Sequence, residues 1–264
     1  MTRMHKAQQG ICCPGCPHRA AYVTVKDAVG RGRGKVFCGD AGCPAVGEVH
    51  PAATTCPGGM ARLLPRYAQA IPGKDEARPK VCVHFIRDEQ LVAACGDDGI
   101  SAPLDHLASE GEIVLPCILA SSKGYLDNEG IKRLAELAEQ AGAADVTVMD
   151  PFDTRGCQDI IRDMAEVPGV HAIIFASPCA LLQTAHPAEP AEVDHYSCVG
   201  CQRCVQITGC PALSFQPPSA VIDADACSGC DLCADYCRTH VILSPCARMT
   251  PEERRAARYA AVRG

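Results

Sequence analysis

Apolar and polar positions fall into two alternating kinds of block along most of this chain. Short, nearly continuous apolar runs at 36–38, 81–86, 112–120, 145–149 and 170–176 read as strands. Between and around them, stretches at 20–29, 61–70, 104–109, 129–141 and 154–166 have helical spacing. In 129–141 the residues Ile131, Leu134, Ala135, Leu137, Ala138 and Ala141 line one face, with Asp127 as N-cap and Gly142 as stop. Strands that are apolar almost throughout are strands covered on both faces. The expected fold is therefore α/β, a doubly wound and mainly parallel sheet.

In such sheets a ligand sits beyond the carboxyl ends of the strands. Those ends carry Cys43, Asp88, Ser121, Asp150 and Cys179, and the glycine-rich turn at 39–43 brings the backbone round sharply beside Cys43. The pattern changes at 186–192, where Pro, Ala and Glu without apolar periodicity have linker composition. This divides the chain into an α/β domain over 1–185, a linker over 186–192, a small α+β ferredoxin-like domain over 193–246 and a terminal helix over 247–264. The helix opens with Thr250 as cap, Pro251 at its first position and Glu252 and Glu253 in its first turn. Its four arginines read as a solvated face.

The chemistry is concentrated after the linker. Cys198, Cys201, Cys204 and Cys210 form CxxCxxCx5CP, and Cys227, Cys230, Cys233 and Cys237 form CxxCxxCx3C. Three thiolates from one tight loop and a fourth from the facing loop is the ligand arrangement of paired 4Fe-4S clusters. Cluster I takes Cys198, Cys201, Cys204 and Cys237; cluster II takes Cys210, Cys227, Cys230 and Cys233. Zinc also uses CxxC pairs, but has no use for a third cysteine two residues on, twice over.

Composition narrows the classes. Twenty cysteines in 264 residues at metal spacings, with no signal peptide at the start, point to a reducing compartment such as the cytoplasm of an anaerobe. The longest apolar run, 113–120, is far short of the ~20 residues of a membrane helix. A net charge of -6, no tryptophan and 4% aromatic residues leave neither a basic footprint nor stacking platforms for nucleic acid.

Five further motifs carry a resemblance: CPGCPHR (13–19), GDAGCP (39–44), TTCPGG (54–59), DPFD (150–153) and SPCAL (177–181). With the cysteine module after them, they resemble in order and spacing the C-terminal half of the indolepyruvate ferredoxin oxidoreductase alpha subunit. In that family this half is a thiamine diphosphate-binding domain followed by a two-cluster ferredoxin domain. A preceding pyrimidine-binding domain, which supplies the glutamate that activates the thiamine, completes the active site. The resemblance implies that this domain comes from another polypeptide, that the chain is not active alone, and that ferredoxin takes the electrons. In related 2-oxoacid:ferredoxin oxidoreductases a cluster near the thiamine is held by a CxxC pair and two later cysteines. Cys13, Cys16, Cys43 and Cys179 match that pattern, with Cys12 an alternative to Cys13. The remaining cysteines, Cys38, Cys56, Cys82, Cys95, Cys117, Cys157 and Cys246 among them, read as core thiols.

The resemblance also implies a cofactor site of His18, Arg19, Gly58, Gly59, Arg87, Asp88, Asp97 and Ser121. The family pattern departs here. Magnesium wants hard oxygen ligands, yet Arg87 stands where the metal turn has glycine and Ser121 where it has asparagine. The turn at 95–99 (CGDDG) is a second candidate. Three readings follow: a subunit of a thiamine-dependent 2-oxoacid:ferredoxin oxidoreductase, an electron-transfer subunit whose thiamine domain has lost its cofactor, or a structural cluster protein. Family context favours the first, the altered turn favours the second, and paired ferredoxin clusters speak against the third.

Overall fold

The computed structural model describes residues 12–30, 34–39, 56–57, 79–95 and 111–262. Six parallel strands form the main sheet: β1 (Lys35–Gly39), β2 (Cys56–Pro57), β3 (Val81–Arg87), β4 (Ile113–Ala120), β5 (Asp145–Met149) and β6 (Gly169–Ala176). Their order is β2-β1-β3-β4-β6-β5. Every residue of β4 is buried, as is every residue of β3 before Arg87, because helices cover both faces. On one face α1 (Pro17–Val29) and α4 (Thr154–Met164) pack Tyr22, Val25 and Ile161 on Val83, Leu115 and Ile173. On the other, α2 (Asp88–Ala94) and α3 (Asn128–Gln140) pack Leu91 and Leu134 on Ile86, Ile118 and Ile174. Neighbouring residues of β4 thus feed opposite cores, as a period of two requires. Each fully buried Leu, Ile or Phe contributes ~1.5–3 kcal/mol, so the central strands hold the fold. This is the doubly wound α/β sheet that the apolar runs predict.

The strand order reverses at β1, with β2 on one side and β3 on the other. The resulting crevice at the strands' carboxyl ends is where a ligand is expected. One helix escapes the sequence pattern: β3 passes directly into α2, where a phosphate-type turn over 86–89 is expected. The backbone N–H of Arg87 donates to the Gln90 side chain at 3.2 Å, and Asp88 and Glu89 supply acids to the first turn. Helix α1 begins at Pro17, three residues before its apolar stretch. The predicted helices at 61–70 and 104–109 lie outside the described residues.

After the sheet, β7 (Glu192–Val193) pairs antiparallel with β10 (Ile242–Leu243), and β8 (Leu213–Gln216) with β9 (Ser219–Ile222). Helices α5 (Arg203–Thr208) and α6 (Leu232–Asp235) sit between them. This α+β module meets the α/β unit along a buried apolar seam of Ala20, Phe152, Leu232 and Tyr236. Hydrogen bonds flank the seam: Thr154 Oγ1 donates to Asp235 Oδ2 at 2.7 Å, and Gln158 Nε2 to the Tyr236 hydroxyl oxygen at 3.1 Å.

The terminal helix α7 (Pro251–Ala260) forms with the expected Thr250 cap, which Glu253 closes into a capping box: Glu253 N donates to Thr250 Oγ1 at 3.2 Å and Thr250 N to Glu253 Oε2 at 2.7 Å. Arg255 is exposed as expected of a solvated face, but Arg258 and, in part, Arg254 correct that expectation. Arg258 is buried, donates to Asp150 Oδ2 and lies 4.6 Å over the Phe152 ring; Arg254 approaches Asp231 at 3.9 Å. Asp150, at the carboxyl end of β5, is thereby spent on holding α7. Burial pushes its carboxyl up from its ordinary range while Arg258 pulls it back. No helix among the described residues is long and apolar enough to cross a membrane.

Removing one partner of a buried ion pair costs ~3–5 kcal/mol. Arg258→Met should therefore lower the unfolding free energy in a urea titration by about that amount, and adding Asp150→Asn should recover more than half of the loss. A double variant no more stable than the single one would assign α7's docking to contacts other than this pair.

Candidate metal centre

The two cysteine loops are built alike. In each, the glycine before the second cysteine has a positive φ, 65° at Gly200 and 67° at Gly229. So has the residue after that cysteine, 57° at Gln202 and 65° at Asp231. Gln202 and Asp231 then serve as N-caps of α5 and α6. Left-handed residues on both sides of a cysteine wrap the loop into a concave nest whose N–H groups face inward toward an anion. For residues other than glycine the conformation costs about 1–3 kcal/mol, which persists only where the surroundings impose it. Gly209 (φ 53°) ends α5 and delivers Cys210.

Cys210, Cys227, Cys230 and Cys233 line one cavity in the module. Burial pushes the Cys230 thiol up to about 12 and raises Cys210 and Cys233 as well. Thiols this desolvated ionise when a metal core takes the charge, so the donor set fits a cluster. Of the other quartet, Cys204 and Cys237 are buried, Cys198 is half-buried and Cys201 is exposed. Burial pushes the Cys237 thiol up, but N–H groups of Val241, Thr239 and Ile242 more than offset it and hold Cys237 below its ordinary value. Among the described residues no three His, Cys, Asp or Glu side chains are arranged to hold a single metal ion. The case for clusters rests on the spacing, the nests and the shared cavity.

A third loop shares one feature of this design, the left-handed glycine before its second cysteine. Cys13-Pro14-Gly15-Cys16 has its glycine at φ 67°, and Cys16 is the N-cap of α1. The Cys16 thiol is lowered to about 7, by the Cys12 side chain foremost. Burial opposes this, and the Arg19 and His18 N–H groups and the Arg19 charge assist it. Cys12, Cys13 and Cys16 are buried together against Ala180 and Leu181, which directly follow Cys179; the Cys179 N–H donates to the Ser121 carbonyl at 3.1 Å. Cys43 lies outside the described residues. Most telling is the neighbour of Gly15: a Cβ there would stand 2.4 Å from Ser228 Oγ. The third loop is thus seated directly on the second ferredoxin loop. The signal for this is legible in the sequence as the glycine recurring before Cys16, Cys201 and Cys230.

The residues of the implied cofactor site take other roles where they are described. His18 Nε2 lies 2.8 Å from Ser121 Oγ, so α1 and the end of β4 do bring these two together. Arg19 turns away toward the module, donating to the Cys12 carbonyl. Arg87 pairs with Glu89. Asp88 is fully buried, and both its oxygens are occupied. Oδ2 accepts from the N–H groups of Ser121 and Ser122, each at 2.8 Å; Oδ1 accepts from Glu89 N at 2.8 Å and Ser122 Oγ at 2.9 Å. A carboxylate with four donors on its lone pairs has none left for magnesium, so the turn at 86–89 does not fit a metal ligand. Gly58, Gly59 and Asp97 lie outside the described residues. Among the expected core thiols, Cys82, Cys117, Cys157 and Cys246 are buried, whereas Cys95 is exposed at the end of α2. The side chains of Cys38 and Cys56 are not among those described.

Gly15→Ala forces a side chain into the left-handed region and against Ser228. It should lower stability by ~1–3 kcal/mol in denaturant unfolding. Gly15→Ala with Ser228→Gly should regain the contact part and not the backbone part. A Gly15→Ala protein of unchanged stability would mean that the loops do not meet as described.

Residues 220–243, which include Cys227, Cys230, Cys233 and Cys237, match the family of the 4Fe-4S binding domain. Curated relatives over nearly the whole chain are indolepyruvate oxidoreductase subunits IorA. That of Archaeoglobus fulgidus is 24% identical over 254 residues, covering 88% of this chain and 39% of the relative. That of Pyrococcus abyssi is 27% identical over 258 residues, covering 85% and 39%. That of Methanothermobacter marburgensis is 25% identical over 264 residues, covering 92% and 40%. The chain thus spans about two-fifths of the length of the curated relatives it matches. It carries a 4Fe-4S binding domain and, along most of its length, it is similar to IorA.

Proposed function

We propose that this chain is the iron-sulfur subunit of an indolepyruvate or other 2-oxoacid:ferredoxin oxidoreductase-like complex in the cytoplasm, working with a separate pyrimidine-domain subunit and passing electrons to ferredoxin. The clusters supply one-electron transfer. Cys198, Cys201, Cys204 and Cys237 hold cluster I; Cys210, Cys227, Cys230 and Cys233 hold cluster II; Cys13, Cys16, Cys43 and Cys179 hold a third. The observation that carries this reading is the seating of Gly15 on Ser228. It sets a loop at the crevice end of the sheet against the cluster II loop, while exposed Cys201 gives cluster I an outlet.

The saturation of Asp88 favours a second form of the same reading, in which the thiamine-type domain keeps its fold and holds no thiamine diphosphate at this turn. The crevice then serves to seat the third loop and the partner subunit.

Two measurements test these proposals. Anaerobically purified protein should hold about twelve irons, ~four for each cluster, and Cys179→Ser should remove about four while the ferredoxin-type signals persist. Loss of none would reduce the third set to unrelated thiols. Titrating thiamine diphosphate in a calorimeter, with magnesium and again with chelator, should give no heat in either case. Tight magnesium-dependent binding would instead make the turn at 95–99 the metal site.

A further inference from the structure

Arg19 is a cation with an unusual address. Its side chain is buried, Nη2 donates to the Cys12 carbonyl, and the guanidinium also reaches the Cys210 thiol. The same side chain lines the cavity formed by Cys210, Cys227, Cys230 and Cys233, alongside Cys16. Its positive charge acts on the thiols of both Cys16 and Cys210. A buried guanidinium is costly unless an anion completes it, and the one carboxylate lining this cavity is that of Asp231. Asp231 is turned to Ser244 and Arg254.

We propose that Arg19 is the resident counter-ion of cluster II: a positioning residue, lent by the α/β unit, that sets how readily this cluster accepts an electron. The inference rests on the cluster reading above. A cubane held by four thiolates is anionic and gains one further negative charge on reduction. A fixed cation on its cavity wall therefore favours the reduced form, and the low dielectric of the seam strengthens the effect. Arginine suits the position because it stays charged when buried and holds its planar fork rigidly, one prong on the Cys12 carbonyl and one toward the thiols. None of the cluster I thiols lines this cavity, so cluster I serves as an internal reference. The arrangement also places one cation between the Cys13–Cys16 loop and cluster II.

The test is an anaerobic redox titration of the whole chain followed by electron paramagnetic resonance, with the cluster II signal assigned by its loss in Cys210→Ser. In Arg19→Gln the reduced-to-oxidised ratio of cluster II at a fixed potential should fall about tenfold, ~59 mV for a one-electron couple. Cluster I should stay in place. Arg19→Lys, which keeps the charge, should restore most of the shift. Iron content separates the possible failures. Full iron with cluster II unmoved in Arg19→Gln, or with clusters I and II moved equally, overturns the role of Arg19 alone. A wild-type protein without clusters overturns the reading beneath it. Should Arg19→Gln fail to fold, Arg19→Lys and Arg19→Met carry the same comparison of charge against its absence.

Discussion

The close approach of Gly15 to Ser228 is the contact on which the rest of the architecture turns. It joins a loop at the start of α1 to a loop in the cysteine module, each with a left-handed glycine before a cysteine, and it needs a residue that lacks a Cβ and tolerates positive φ. Beneath it, the seam of Ala20, Phe152, Leu232 and Tyr236 buries apolar surface from both units. The seam supplies the free energy and the loops supply the registration. Without the seam, the third cysteine loop would lose its contact with the module.

Charge is arranged around that junction to the same end. Arg258 lies inside, matched to Asp150 and stacked on Phe152, and so clamps α7 across the boundary between the units. Arg19 lies inside too, on the Cys12 carbonyl and beside the Cys210 thiol, with no carboxylate paired to it among the described contacts. Two buried guanidinium groups thus flank one junction, one facing a carboxylate and one facing cysteine thiols. Burial raises the cost of an unpaired charge and also makes its field felt by whatever occupies the cavity.

The carboxyl ends of the strands tell a parallel story. In a doubly wound sheet these ends ordinarily present polar groups to a ligand. Here Asp88 folds back on the N–H groups of Ser121 and Ser122 and on the start of α2, Ser121 turns its hydroxyl to His18, and Asp150 turns to Arg258. Side chains that could meet a phosphate or a metal have been drawn into binding the loops together.

The sequence by itself determined the class of the fold and the presence of a 4Fe-4S binding region. Continuous apolar runs can be satisfied only by strands covered on both faces, and a CxxCxxC triplet followed by a distant fourth cysteine has one economical use. The cap at Thr250 was equally legible, because its partners lie three residues apart. Long-range matching lay beyond the sequence. The arginines of α7 had the spacing of a solvated face until Asp150, 108 positions earlier in the chain, was found beside Arg258. Asp88 read as a metal-turn acid until Ser121 and Ser122 were seen to use both its oxygens. A residue's type states what it can bind, but only the packing of distant elements decides which partner reaches it first, and that partner is what remains or fails to remain for a ligand.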